Sequence, residues 1–163
     1  MSNSRLLNTA VIVSSLGYFV DVFDLLLFGV VRIKSLTALG LSGQAMTDAG
    51  ILLQNWQMAG MLIGGIATGI FGDKLGRARA LYGTIALYSV ATIANGLVNS
   101  LKMYALCRFL AGFGLAGEIG AAITLVTESL PTQRRGLGAT IMAAFGISGA
   151  SCMANLLHAS PAL

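Results

Sequence analysis

GIFGDKLGRARAL, Gly69 to Leu81, places one acid, Asp73, and three bases, Lys74, Arg77 and Arg79, between two long apolar runs. Those four charges stand out in a chain that has only ten lysines and arginines and six aspartates and glutamates in all. A short, mostly basic break between oily segments is the pattern of a tight loop between two membrane helices, because lysine and arginine keep such loops on the cytoplasmic side. The rest of the sequence can be measured outward from it.

Composition agrees with that reading. Of 163 residues 56% are hydrophobic and 10% charged, with 21 glycines, whereas soluble domains carry about 25% charged residues. The expected class is an all-α membrane protein. The net charge of +4 does not point to nucleic acid, since the bases sit in short clusters between apolar runs and not along one polar face. Cys107 and Cys152 both fall in apolar runs and read as small buried side chains, not as a disulfide or metal pair.

A ruler of about 20 apolar residues per helix gives five spans: Leu6 to Val31, Ile51 to Gly72, Ala80 to Val98, Met103 to Leu130 and Gly136 to Leu157. The first is too long for a signal peptide and contains Asp21 and Asp24. With the N-terminus inside, Arg5, Lys74, Arg77, Arg79, Arg134 and Arg135 are cytoplasmic, against Arg32, Lys34 and Lys102 outside. That imbalance favours a cytoplasmic N-terminus and places the end of the chain, after His158, Ser160 and Pro161, outside. Small residues recur at one-turn spacing, Gly60, Gly64 and Thr68 with Gly65 and Gly69 beside them, then Gly112, Gly114, Gly117 and Gly120. Such rows let helix backbones approach closely.

Asp21, Asp24, Arg108 and Glu118 fall within spans. A charge at the centre of an inserted helix costs on the order of 2.5 to 3.5 kcal/mol, so each calls for a partner or an aqueous cavity. At about 1.5 Å per residue, Asp24 lies roughly 12 Å below the outer end of its span and Arg108 roughly 9 Å below Lys102, at nearly one depth. Asp21 is one turn from Asp24 on nearly the same face. Glu118 is about 24 Å in from Lys102 and about 80° round from Arg108, a separate position. Asp24 with Arg108 reads either as a buried structural ion pair or as a proton switch, in which anything that moves the arginine changes the proton affinity of the acid. Glu118 reads either as a bond to a neighbouring helix or as a direct participant. Asn55, Gln57 and Tyr88 could face a cavity or bond between helices.

Three motifs now carry a family likeness. GIFGDKLGRARAL, through Gly69, Gly72, Asp73, Lys74, Gly76, Arg77 and Arg79, resembles the cytoplasmic signature of the major facilitator superfamily. RFLAGFG resembles that family's fourth-helix motif through Arg108, Gly112 and Gly114. ESLPTQRRG resembles the ExxPxxxRG loop of sugar porters and metabolite:proton symporters through Glu128, Pro131, Arg135 and Gly136. DVFD, Asp21 to Asp24, is similar to the DGFD of organic-anion symporters with valine for glycine, and the last span has no proline of the kind drug antiporters carry.

The resemblance implies alternating access by two six-helix halves, each of 3+3 inverted repeats, around a midplane site. The five spans would be helices 1–5 of a twelve-helix fold, and residues 1–163 an incomplete N-terminal half in a cell (inner) membrane. It further implies a proton-coupled symporter of a small polar metabolite, an organic acid or a sugar. Asp24 and Asp21 would carry the coupling proton, while Arg108 and Glu118 would meet substrate or form ion pairs. Gly69, Asp73, Gly76, Arg77, Glu128 and Arg135 would form a cytoplasmic latch. The partners would be substrate, protons, the lipid bilayer and the missing C-terminal half, with no cofactor, metal or nucleic acid. The alternative is a truncated, non-transporting membrane protein or helix-association module. An enzyme is not indicated: the one histidine, His158, is at a chain end, and GFGLAG lies in an apolar helix with no strand before it.

Overall fold

A computed structural model describes residues 9–159. They form α1 (Thr9–Ala38), α2 (Gly43–Leu75), α3 (Arg77–Asn95), α4 (Leu101–Ser129), a 3-10 turn (Thr132–Arg134) and α5 (Arg135–Ala159). Arg5, Leu6, Ser160 and Pro161 lie outside the described residues, as do the side chains of Arg77 and Arg134.

The helices run further than the apolar segments do. α1 continues past Val31 to Ala38 and takes Arg32 and Lys34 into its last turns, and α2 begins at Gly43, ahead of Ile51. Polarity ends an apolar run but not a helix, since each added residue of a formed helix closes another backbone hydrogen bond. What stops α1 is Gly40 at φ +79. The Leu41 N–H donates to the Leu36 carbonyl at 3.1 Å and the Gly40 N–H to that of Thr37 at 2.9 Å, which is the Schellman closure with glycine in the left-handed position. Ser100 starts α4, its Oγ accepting from the Met103 N–H at 3.4 Å, as an N-cap serine does. Pro131 follows the end of α4 and lacks the N–H that continuing it would need.

The stretch Gly69 to Leu81 is not an extended loop. α2 runs to Leu75 and α3 starts at Arg77, so Gly76 alone makes the joint. Its φ of +94 and ψ of 138 lie close to a region open essentially to glycine only. The Gly76 N–H donates to the Gly72 carbonyl at 3.1 Å, and its own carbonyl accepts from the Ala80 N–H at 3.1 Å.

The chain divides into two compact units, Val31–Ala121 and a second formed by the residues up to Val30 with those from Ala122 onward. In Val31–Ala121 the core is Leu36, Leu53, Tyr104, Ala111 and Leu115. Here α2 and α4 touch through glycine. A Cβ on Gly60 or Gly64 would fall on the main-chain carbonyl of Phe109 or Phe113 respectively, and one on Gly112 on that of Gln57. Because Gly60 and Gly64 advance together with Phe109 and Phe113, the two helices run parallel. Gly114 packs in the same way against α3, where a Cβ would stand 2.9 Å from the Thr84 carbonyl and from Tyr88.

In the other unit the core is Val11, Ser15, Val126, Leu130, Met142 and Met153. Gly146 and Gly149 on α5 abut Tyr18 and Phe19 on α1. Cys107 is buried as expected, but Cys152 is exposed, on an outward side of α5.

Large apolar side chains also face outward, among them Leu62 at 68%, Ile93 at 69% and Ile147 at 68% exposure. Two segments, Leu101–Glu128 and Arg135–Leu156, are long and apolar enough to cross a membrane.

Candidate functional site: a buried arginine on α4

α4 buries two charged side chains. Its glycines bring α2 and α3 close. Arg108 is 6% exposed and Glu118 is 7% exposed. The Arg108 guanidinium carbon lies 5.8 Å from the ring centroid of Tyr104, which precedes it by one turn and is itself buried. Residues four apart on a helix are neighbours, so α4 alone sets this pairing. Cation–π contact restrains the guanidinium plane and stiffens a side chain that otherwise has four rotatable bonds.

The next position on α4 is aromatic. Phe109 meets Trp56 of α2 edge to face, with centroids 5.9 Å apart at 77°. Gln57, one residue on from Trp56, is buried, and its main-chain carbonyl lies against Gly112. A planar, permanently charged fork of five N–H donors in such surroundings is suited to a carboxylate, phosphate or sulfate oxygen pair.

Asp21 and Asp24 lie on adjacent turns of α1, Asp21 2% exposed and Asp24 half-buried. The same helix buries the Ser14 and Ser15 hydroxyls, neither with a hydrogen-bond partner among the described residues. Asp21 and Asp24 belong to one unit and Arg108 and Glu118 to the other.

The latch residues divide in the same way. Gly69, Asp73 and Gly76 are exposed in Val31–Ala121, with Asp73 in the last turn of α2 and the Arg77 backbone opening α3. A Cβ on Gly69 would meet nothing within 4 Å, so no close approach at that glycine occurs among the described residues. Glu128 and Arg135 are exposed at the end of α4 and the start of α5. Arg135 donates from Nε to the Leu130 carbonyl at 3.5 Å, tying α5 back across the proline turn.

Sequence reading passed over Tyr104 and left Gln57 undecided. The i, i+4 spacing of Tyr104 and Arg108 was a usable signal for the first. Nothing in the sequence distinguishes buried Gln57 from exposed Asn55, because which side of α2 meets α4 is a property of the packing.

The family model described as Sugar (and other) transporter matches residues 10–159. The chain belongs to that family, within the major facilitator superfamily to which its motifs point. A putative metabolite transport protein of Haemophilus influenzae is 34% identical over 151 residues, covering 91% of this chain and 36% of the relative. A probable inorganic phosphate transporter, 1-6, of Arabidopsis thaliana is 33% identical, covering 90% and 30%. The sialic acid transporter NanX of Escherichia coli is 33% identical, covering 88% and 33%. The chain thus spans about a third of the length of the curated relatives it matches. No solved structure matches it.

Proposed function

We propose that the chain forms helices 1–5 of a twelve-helix secondary transporter that moves a small polar metabolite, an organic acid or a sugar, together with protons. The observation that carries this is an inversion of the usual polarity: Arg108, Glu118 and Asp21 are buried while Leu62, Ile93 and Ile147 face outward. In water that arrangement loses on both counts, since buried charge is costly and exposed apolar area unfavourable. In a bilayer the outward face meets hydrocarbon and the inner charges mark a transport path.

All five helices are spans in this reading, in a cell (inner) membrane with a cytoplasmic N-terminus. Residues 1–163 form part of the N-terminal half. Arg108, steadied by Tyr104, meets the substrate's negative group, and Glu118 provides a second polar position further along the same helix. Phosphate and sialic acid, named in two relatives, are anions at neutral pH, which favours an organic acid over a neutral sugar. Asp24, with Asp21 one turn away on α1, takes the coupling proton. Gly69, Asp73, Gly76, Arg77, Glu128 and Arg135 clamp the cytoplasmic side when the cavity opens outward, against a C-terminal half.

The test is uptake into vesicles containing the full-length transporter. Asp24→Asn is expected to abolish accumulation driven by a proton gradient while leaving substrate exchange intact. Gradient-driven accumulation that survives this change would place the proton carrier elsewhere, and accumulation in wild type without any gradient would remove the coupling claim.

A further inference from the structure

Near the start of α4 a cleft of about 280 Å³ opens between α2 and α4, lined by Leu52, Trp56, Leu101, Lys102, Ala105 and Leu106. Its walls are apolar except for the lysine. We propose that this cleft holds the upper part of one acyl chain of an anionic phospholipid whose phosphate is met by Lys102. The proposal rests on the reading of α2 and α4 as membrane spans.

Charge and direction argue for that occupant. Lys102 is exposed in the first turn of α4, and among the described residues no carboxylate pairs with it. Asp48, the acid at that end of α2, accepts instead from Gln44 Nε2 at 3.2 Å. A cation at a helix N-terminus is opposed by the positive end of the helix dipole, and a bound anion relieves both. Lys102 and Leu101 lie at one end of the cleft, with Leu106 a turn further along α4. A lipid entering with its phosphate at Lys102 would therefore lay its chain down the apolar part.

Trp56 completes the wall. It is 45% exposed, yet its edge-to-face contact with Phe109 holds the indole in place. An indole about one turn further in than a lysine suits the membrane–water boundary, where tryptophan is enriched and lysine stems reach out to the headgroups. A protein partner would have to leave Lys102 without an acid or supply one; a phospholipid supplies the anion and the chain in one molecule.

Trp56 is the chain's one tryptophan, so its fluorescence reports on this cleft alone. The chain is reconstituted in bilayers holding the same fraction of lipid with brominated acyl chains, as phosphatidylglycerol in one arm and phosphatidylcholine in the other. Wild type is expected to be quenched by the anionic lipid with about fivefold higher apparent affinity, the effect of one interfacial charge contact. Lys102→Gln is expected to bring the two arms together, and Lys102→Arg to keep the preference. Unchanged quenching by phosphatidylcholine in both variants shows that the cleft itself is intact. Equal quenching by both lipids in wild type would overturn the proposal while leaving the membrane reading in place. Trp56 quenched by neither lipid would overturn it by showing the cleft covered, by a second copy or another segment, or outside the bilayer.

Discussion

Gly60 of α2 lies directly against the main-chain carbonyl of Phe109 of α4, and a Cβ at Gly60 would also stand 3.1 Å from the Phe109 Cα. Main chain cannot swing aside as a side-chain tip can, so any larger residue must push the two helices apart. Gly60→Val is expected to lower stability by about 3 kcal/mol, the upper part of the usual overpacking cost. Gly83, on α3, is the control: a Cβ there meets nothing within 4 Å. Gly83→Ala should be neutral or stabilising by about 0.5–1 kcal/mol, from the backbone entropy glycine loses in a helix. Thermal unfolding of both variants in detergent checks the contrast; equal Tm values would show that the crossing is not as close as described.

Gly117 offers a test of packing that can be rescued. A Cβ there would stand 2.5 Å from the γ-methyls of both Thr68 and Thr84. Gly117→Ala should cost about 1–3 kcal/mol. Changing both threonines to serine removes those methyls and keeps the hydroxyls that bond to the Gly64 and Leu81 carbonyls. The triple variant should recover most of the loss, as contacting residues are strongly non-additive. A triple variant no better than the sum of its parts would separate the three side chains.

Gly76 joins α2 to α3 by itself. Gly76→Ala and Gly76→Asn should both cost about 1–3 kcal/mol, because asparagine tolerates the left-handed helical region but not the more extended conformation found here. Matched melting curves decide it. Full recovery by asparagine would mean that the joint relaxes to the ordinary left-handed turn.

The Arg108–Tyr104 pair predicts a graded effect on transport by the full-length protein. Arg108→Lys keeps the charge but loses the planar fork, and apparent substrate affinity should fall at least about tenfold. Tyr104→Phe keeps the ring and with it the cation–π contact, and should lose less than Tyr104→Leu. Tyr104→Leu loses the cation–π contact and should cost about 1 kcal/mol, roughly a fivefold drop in affinity. Uptake measured over a range of substrate concentrations separates the three, and an Arg108→Lys variant with unchanged affinity would remove the arginine from the site.

The helices themselves were legible from composition and spacing. Apolar runs broken by charge clusters and by Pro131 locate five helices without any partner structure, because a helix satisfies its own backbone hydrogen bonds, but they do not fix the ends, which run past the apolar residues in α1 and α2. The one-turn spacing of Gly60, Gly64 and Thr68 likewise marks a side of α2 built for contact. The family follows from local motifs for the same reason: Asp73, Arg77 and Gly76 are within a few residues of each other, as are Arg108, Gly112 and Gly114. What the sequence leaves open is everything that depends on which side of a helix meets which neighbour. It does not separate Gln57, buried against α4, from Asn55, which is exposed, nor tell that Gly60 is pressed on a carbonyl while a Cβ on Gly69 would meet nothing among the described residues. It also overstates the loop at Gly76, where a single residue turns the chain, and it misplaces Cys152. These are decided by the tertiary structure, since helix rotation and crossing distance are set by the sum of many contacts between residues far apart in the chain, and no window of local sequence contains that sum.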